Sequence, residues 1–260
     1  MNYIAPSLVF LFFLAPAIRL LGLAARTRQA PELWCGLYFL GASFGLSLRV
    51  FGAGIQFEHP ESAHLANAIG HVGLAAGTAA MALFTQRVFH PDSVGAKIFA
   101  GFLVVAIAAS TIWTFVGDHV TAESSTAVIT TNAFRIFPTA WAFLESLRYW
   151  RSMKKRAALG LSDPIVTNRF LLWSIWTAGA SLMPAMALTL RLLALVVLGD
   201  LENPSEAQSA YQPQVMALVR ATFVGVAPAS ALALMLAFFP PKPYLARLRA
   251  RAEGAGTARP

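Results

Sequence analysis

The sequence predicts an all-α integral membrane protein: a seven-transmembrane-helix bundle with its N-terminus outside, its C-terminus cytoplasmic and a short interfacial helix after the seventh span. Three observations predict it. Hydrophobic residues make up 57% of the 260 and charged residues 12%, against roughly 25% charged in soluble domains, so too little polar surface exists to face water all round. Seven apolar runs are each long enough to span a bilayer, and Lys and Arg are concentrated in alternate connections between them.

The runs cover about residues 3–24, 33–55, 63–84, 96–116, 126–150, 170–198 and 215–239, which assigns 1–239 to the transmembrane domain and 240–260 to a cytoplasmic interfacial helix and tail. The first run is expected to be a span and not a cleaved leader, because no positive side chain precedes it and Arg26 and Arg28 follow it. The second carries Arg49 and the spelling Gly41-Ala42-Ser43-Phe44-Gly45. On the third, Glu61, His64, Asn67 and His71 recur every three or four residues and so share one stripe, with Gly70, Gly73 and Gly77 nearby to permit close helix approach. The fifth carries Thr131, Asn132, Arg135 and Thr139, and the sixth carries Ser174, Thr177, Ser181, Pro184 and Arg191. Arg220 lies on the seventh. The first and fourth runs are almost wholly apolar and are expected at the periphery of the bundle. Breakers separate the runs, among them Glu58-His59-Pro60, His90-Pro91-Asp92 and Ser162-Asp163-Pro164. After Pro240-Pro241-Lys242-Pro243, residues 244–253 place Leu245, Leu248 and Ala252 on one face and Arg247 and Arg251 on another, as an interfacial helix would; 254–260 are expected to be disordered.

Sixteen of the twenty basic residues fall on one side, in the first, third and fifth connections, the tail and Arg19 near the inner end of the first helix. The other three connections hold acids such as Glu58, Asp118 and Glu202, and no Lys or Arg. The basic side is therefore assigned to the cytoplasm, and the chain to the plasma (inner) membrane as a multi-pass protein. Arginine outnumbers lysine 16 to 4 and alanine is abundant, a bias that suggests a GC-rich bacterial source. The net charge of +8 thus reads as topology and not as nucleic-acid binding. Arg148, Arg151, Lys154, Lys155 and Arg156 form a cluster against anionic inner-leaflet lipid.

The other four basic residues, Arg49, Arg135, Arg191 and Arg220, lie inside spans at matching depth, about 9 to 15 Å below the outer edge at 1.5 Å per residue, and His71 shares the layer. Ionised side chains at that depth are costly and usually face the interior. The layer holds no Asp or Glu, so a bound anion would supply the missing charge, in the fork geometry that guanidinium offers carboxylate and phosphate. The functional expectation is an outward-facing polar pocket for an anionic or amphipathic ligand, either a small molecule or a lipid. Its expected lining is Arg49, His64, Asn67, His71, Asn132, Arg135, Arg191 and Arg220. Such a chain would act as a sensor or receptor through a cytoplasmic or membrane partner, or as a small permease. The plainer alternative lets Arg49 and Arg220 snorkel to headgroups while Arg135 and Arg191 bond carbonyls freed by Pro138 and Pro184. A structural or accessory subunit of a membrane complex is the competing class.

Specific chemistries find little support. All four lysines lie at cytoplasmic ends or in loops, which excludes a retinal Schiff base; His71 is the only histidine deep in a span, too few for a bis-histidine haem or a zinc site. No cofactor and no metal is expected. Cys35, the single cysteine, excludes an internal disulfide. The G-x-S-x-G spelling would suit an intramembrane hydrolase with His71 as base, but small residues at that spacing more often serve helix packing. The seven-helix topology with its start outside is similar to that of receptor bundles. However, Thr85-Gln86-Arg87 closes the third helix and the seventh holds no Asn-Pro-x-x-Tyr, so the residues assign no family.

Overall fold

The computed structural model describes residues 4–55, 57–116, 126–159, 161–198, 226 and 228–257. Among these the regular structure is entirely helical. The helices are α1 (Ile4–Thr27), α2 (Ala30–Ile55), α3 (Pro60–Phe89), α4 (Val94–Val116), α5 (Thr126–Ala158) and α6 (Pro164–Leu198). A shorter apolar helix, α7 (Pro228–Phe238), and α8 (Lys242–Thr257) follow. Among the described residues, four helical stretches are long and apolar enough to cross a membrane: Ser7–Thr27, Ala30–Ile55, Pro60–Phe89 and Val94–Val116. The protein is membrane-embedded, and its burial pattern is that of a chain solvated by lipid. On α4, Ile98, Val105, Ile112 and Val116 are 61% exposed or more, while Ser110, Thr111 and Thr114 face inward. Water would reject so apolar an outer surface, whereas lipid accepts it and leaves the hydroxyls to bond inside.

Hydropathy locates these helices but understates their length. α5 runs on beyond residue 150 through the basic cluster to Ala158, because Lys and Arg are good helix formers and nothing breaks the turn before Gly160. α6 starts six residues ahead of the apolar run. Asp163 caps it by accepting from the Ile165 amide at 2.7 Å, and Pro164 takes the first helical position, where a missing N–H costs nothing. α8 also exceeds its expected bounds, staying helical through Thr257 where a disordered tail was expected from Gly254 on. The seventh expected span is described only at residues 226 and 228–239.

Two compact units are present, residues 1–139 with 191–203, and residues 140–190 with 204–260. In the first, α2 and α3 meet backbone to backbone. A Cβ on Gly41 would fall against the Gly73 carbonyl and 2.7 Å from the Gly77 Cα, and one on Gly45 would lie 2.9 Å from the Gly70 carbonyl. No larger residue fits this seam, so the glycines of the second and third runs are there for contact. α1 packs on the other side of α2, where the Ser43 hydroxyl donates to the Phe10 carbonyl at 2.7 Å and Phe10 meets Phe44 edge-on. α1 buries only a narrow strip, including Ala17, Leu20 and Ala24, and leaves Leu8 and Ile18 62% exposed, as a peripheral helix should. The α1–α2 turn passes through Arg28, whose φ of 56° is the left-handed conformation in which helices commonly end.

In the second unit, α6 and α7 approach at Gly179, where a Cβ would collide with the Ser230 side chain. Trp173 packs on Trp176 and Phe238 with ring centroids 4.9 and 5.7 Å apart. α8 is tied to α6 by Asn168, whose amide donates to the Tyr244 hydroxyl at 2.6 Å.

Candidate functional site

Three of the expected pocket residues come together in the first unit: Arg49 of α2, His71 of α3 and Arg135 of α5. The glycine seam brings α2 close enough for the Arg49 side chain to lie across Gly70, where an added Cβ would be 2.8 Å from the Arg49 Cγ. α5 is held by Thr131, whose hydroxyl lies 2.8 Å from the Ser110 carbonyl and 3.1 Å from the Thr114 hydroxyl of α4. One turn further along the same face comes Arg135, only 7% exposed. Its Nη2 donates to the His71 carbonyl at 2.9 Å and its Nη1 lies 3.1 Å from His71 Nδ1.

Hydrogen-bonding chemistry then fixes the ring. A guanidinium only donates, so His71 Nδ1 is the accepting lone pair and the ring proton sits on Nε2. His71 is completely buried, and its Nε2 has no hydrogen-bond partner among the described residues. The same holds for the Nε of Arg135. Both unfilled groups are N–H donors. The Arg49 charge also acts on both His71 and Arg135. The Arg135 guanidinium and a neutral imidazole therefore meet with Arg49 nearby, and among the described residues the two spare donors of His71 and Arg135 have no acceptor. A buried donor left unsatisfied costs about 1 to 3 kcal/mol, so two in one place call for a partner.

The remaining expected residues are placed less tightly. Asn67, one turn before His71, lays its amide over Gly52, 3.0 Å from where a Cβ would stand. His64 and Asn132 are half-buried. Arg191 falls on the helical stretch of α6, but its side chain, like the whole of Arg220, lies outside the described residues. Arg135 bonds a different carbonyl from the one the plainer alternative expected. It is that of His71 on another helix and not that of Phe134, freed by Pro138.

Sequence reasoning overlooked Glu145, an acid on α5 that is 8% exposed and bridges to Arg148 at 3.0 Å. The signal was present in the three-residue spacing of the pair. It also overlooked a groove of about 450 Å³ in the second unit, lined by α5, α6 and α7. Ser174, Thr177 and Ser181, expected to be part of a polar face, bond back to carbonyls of their own helix, Leu171, Trp173 and Thr177. Ser43 is equally committed: it is fully buried, its hydroxyl goes to Phe10, and its flanking glycines belong to the helix seam. That arrangement suits packing and not nucleophilic attack.

No protein-family model, no curated protein and no solved structure matches the chain.

Proposed function

We propose that this is a seven-span protein of the plasma membrane, N-terminus outside, whose Arg49–His71–Arg135 cluster binds an anionic or amphipathic molecule. In this reading α5, α6 and the helix ending in α7 join the four apolar helices as spans. Lengths of 33 and 35 residues give α5 and α6 roughly 50 Å each, ample for a hydrocarbon layer of about 30 Å. The one-sided Lys and Arg distribution supports the orientation, and the half-buried Tyr244, Leu245 and Leu248 support α8 as an interfacial helix.

The observation that carries the ligand class is the pair of buried, unfilled donors at Arg135 Nε and His71 Nε2. Water could satisfy them, but water carries no charge to set against the buried Arg135 guanidinium; a carboxylate or phosphate satisfies the donors and supplies that charge. Binding without a catalytic group fits a sensor acting through a partner protein, or a small permease. Mass spectrometry of molecules retained by the gently purified chain tests the reading. An anionic species is expected with the native chain and is expected to be lost with Arg135→Leu. Recovery of no anion from the native chain would sink it. Uptake of the identified molecule into reconstituted vesicles marks a permease, and binding without flux marks a sensor.

A further inference from the structure

The groove of the second unit and the basic end of α5 follow one another along the same helix. Phe143 and Leu147 of α5, Leu171, Ile175 and Leu182 of α6 and Ala229 of α7 line the groove, which has a volume of about 450 Å³, within the range of small-molecule pockets. Phe143 and Leu147 are four residues apart, and the same spacing continues to Arg151 and Lys155. All four lie on one i+4 stripe of α5, which winds about 40° round the helix at each step, with the first cation about 6 Å beyond the last apolar residue. Helical side chains lean toward the N-terminus, the direction in which the groove lies from Arg151.

The other cations of the cluster are placed differently. Arg148 is bridged to Glu145 at 3.0 Å, and the Lys154 ammonium lies over the Trp150 ring, 5.4 Å from its centroid. Arg156 is five residues past Arg151, well off the stripe. Arg151 and Lys155 are exposed and make no ion pair among the described residues. An apolar groove that ends in two such cations matches one amphiphile, with a hydrocarbon chain and a phosphate at its head.

We infer that the α5–α6–α7 groove takes an acyl chain of an anionic glycerophospholipid whose phosphate is held by Arg151 and Lys155. This rests on the chain being membrane-embedded and not on the Arg49–His71–Arg135 cluster. The Arg151 fork grips phosphate oxygens in pairs and Lys155 adds a point charge, so a zwitterionic lipid, whose choline offsets the phosphate, binds more weakly.

The test uses the full chain, delipidated and then reconstituted into bilayers of phosphatidylglycerol and phosphatidylcholine in equal parts, with retained lipid measured after repurification. The native chain is expected to retain phosphatidylglycerol over phosphatidylcholine. Arg151→Gln and Lys155→Gln are each expected to lower that preference about fivefold, the weight of one cation near a membrane surface. Arg156→Gln is expected to leave it as it was. Ala178→Phe, which puts a ring in the groove, is expected to lower retention of both lipids. Should that variant fail to fold, the charge variants decide alone, since they sit at exposed positions. Equal retention of the two lipids by the native chain overturns the inference, as does a preference that survives the double variant. A detergent-stable dimer abolished by Ala178→Phe also overturns it, by seating a second copy of the chain in the groove.

Discussion

α3 meets two of its neighbours, α2 and α5, in opposite ways. Against α2 the contact is largely backbone on backbone, with Gly41 and Gly45 facing Gly70, Gly73 and Gly77 while the Leu74 and Arg49 side chains lie over Gly45 and Gly70. Against α5 the polar contact is a single arginine, which reaches a carbonyl and a ring nitrogen and leaves two donors over. The first is complete in itself: dispersion between close backbones needs no third party. The second is incomplete without an acceptor. A helix pair built only for stability would have no reason to keep a buried cation whose observed partners are neutral, since apolar packing does as well at lower desolvation cost. The contrast separates what holds the bundle together from what the bundle holds.

Breaking the seam should have the largest effect. Gly41→Leu would drive a side chain into the Gly73 carbonyl and the Gly77 Cα, main-chain atoms that can retreat only if the helices part. A loss of about 3 kcal/mol is expected, at the upper end of overpacking costs, and is read as a lower midpoint of thermal unfolding in detergent. Ligand retention should fall with it, because Arg49 reaches the cluster across the same seam. A midpoint within a degree or two of native would show that the seam can open cheaply.

Arg135→Leu sharpens the comparison from the other side. It removes two hydrogen bonds and a buried charge together, so its effect on the stability of the ligand-free chain is expected to stay within about 1 kcal/mol. Retention of the anion should drop at least about tenfold, the value of one charge-assisted hydrogen bond. Arg135→Lys should not rescue it, because an ammonium cannot address His71 Nδ1, the His71 carbonyl and a ligand from one plane. The contrary outcome, a more stable protein that retains the anion undiminished, would make Arg135 a structural residue.

The sequence exposes those parts of this molecule that repeat and hides those that depend on azimuth. Membrane-length apolar helices are legible because lipid demands about 20 apolar residues in a row, and α1 to α4 answer that demand directly. Their true ends are less legible, because hydropathy marks where lipid stops and not where the helix stops; Asp163 and Pro164 show that the second signal was there to read. Depth could be counted along each helix, so Arg49, His71 and Arg135 were placed in one layer. Which of them touch could not be counted, since that depends on the rotation of α5 against α3. Glu145 was legible through its three-residue spacing from Arg148, whereas its burial was not, since that depends on which way its face of α5 turns. The groove was hidden for another reason: Phe143, Leu147 and Ile175 look like any lipid-facing residues until three helices leave a space between them.

Ser43 supplies the smallest of the expected effects and a direct test of the G-x-S-x-G spelling. Its hydroxyl donates to the Phe10 carbonyl at 2.7 Å, a bond between α1 and α2 in a dry interior. Hydrogen bonds between membrane helices contribute about 0.6 kcal/mol on average, because a partly unfolded chain in lipid finds other partners. Ser43→Ala should cost about that much and leave ligand retention untouched, since Ser43 belongs to the packing side of α2 and Arg49 to the cluster side. A fluorophosphonate probe should label neither chain, as the hydroxyl is fully buried and already committed. Labelling of the native chain that disappears with Ser43→Ala would reverse the assignment and make the second helix the seat of a nucleophile.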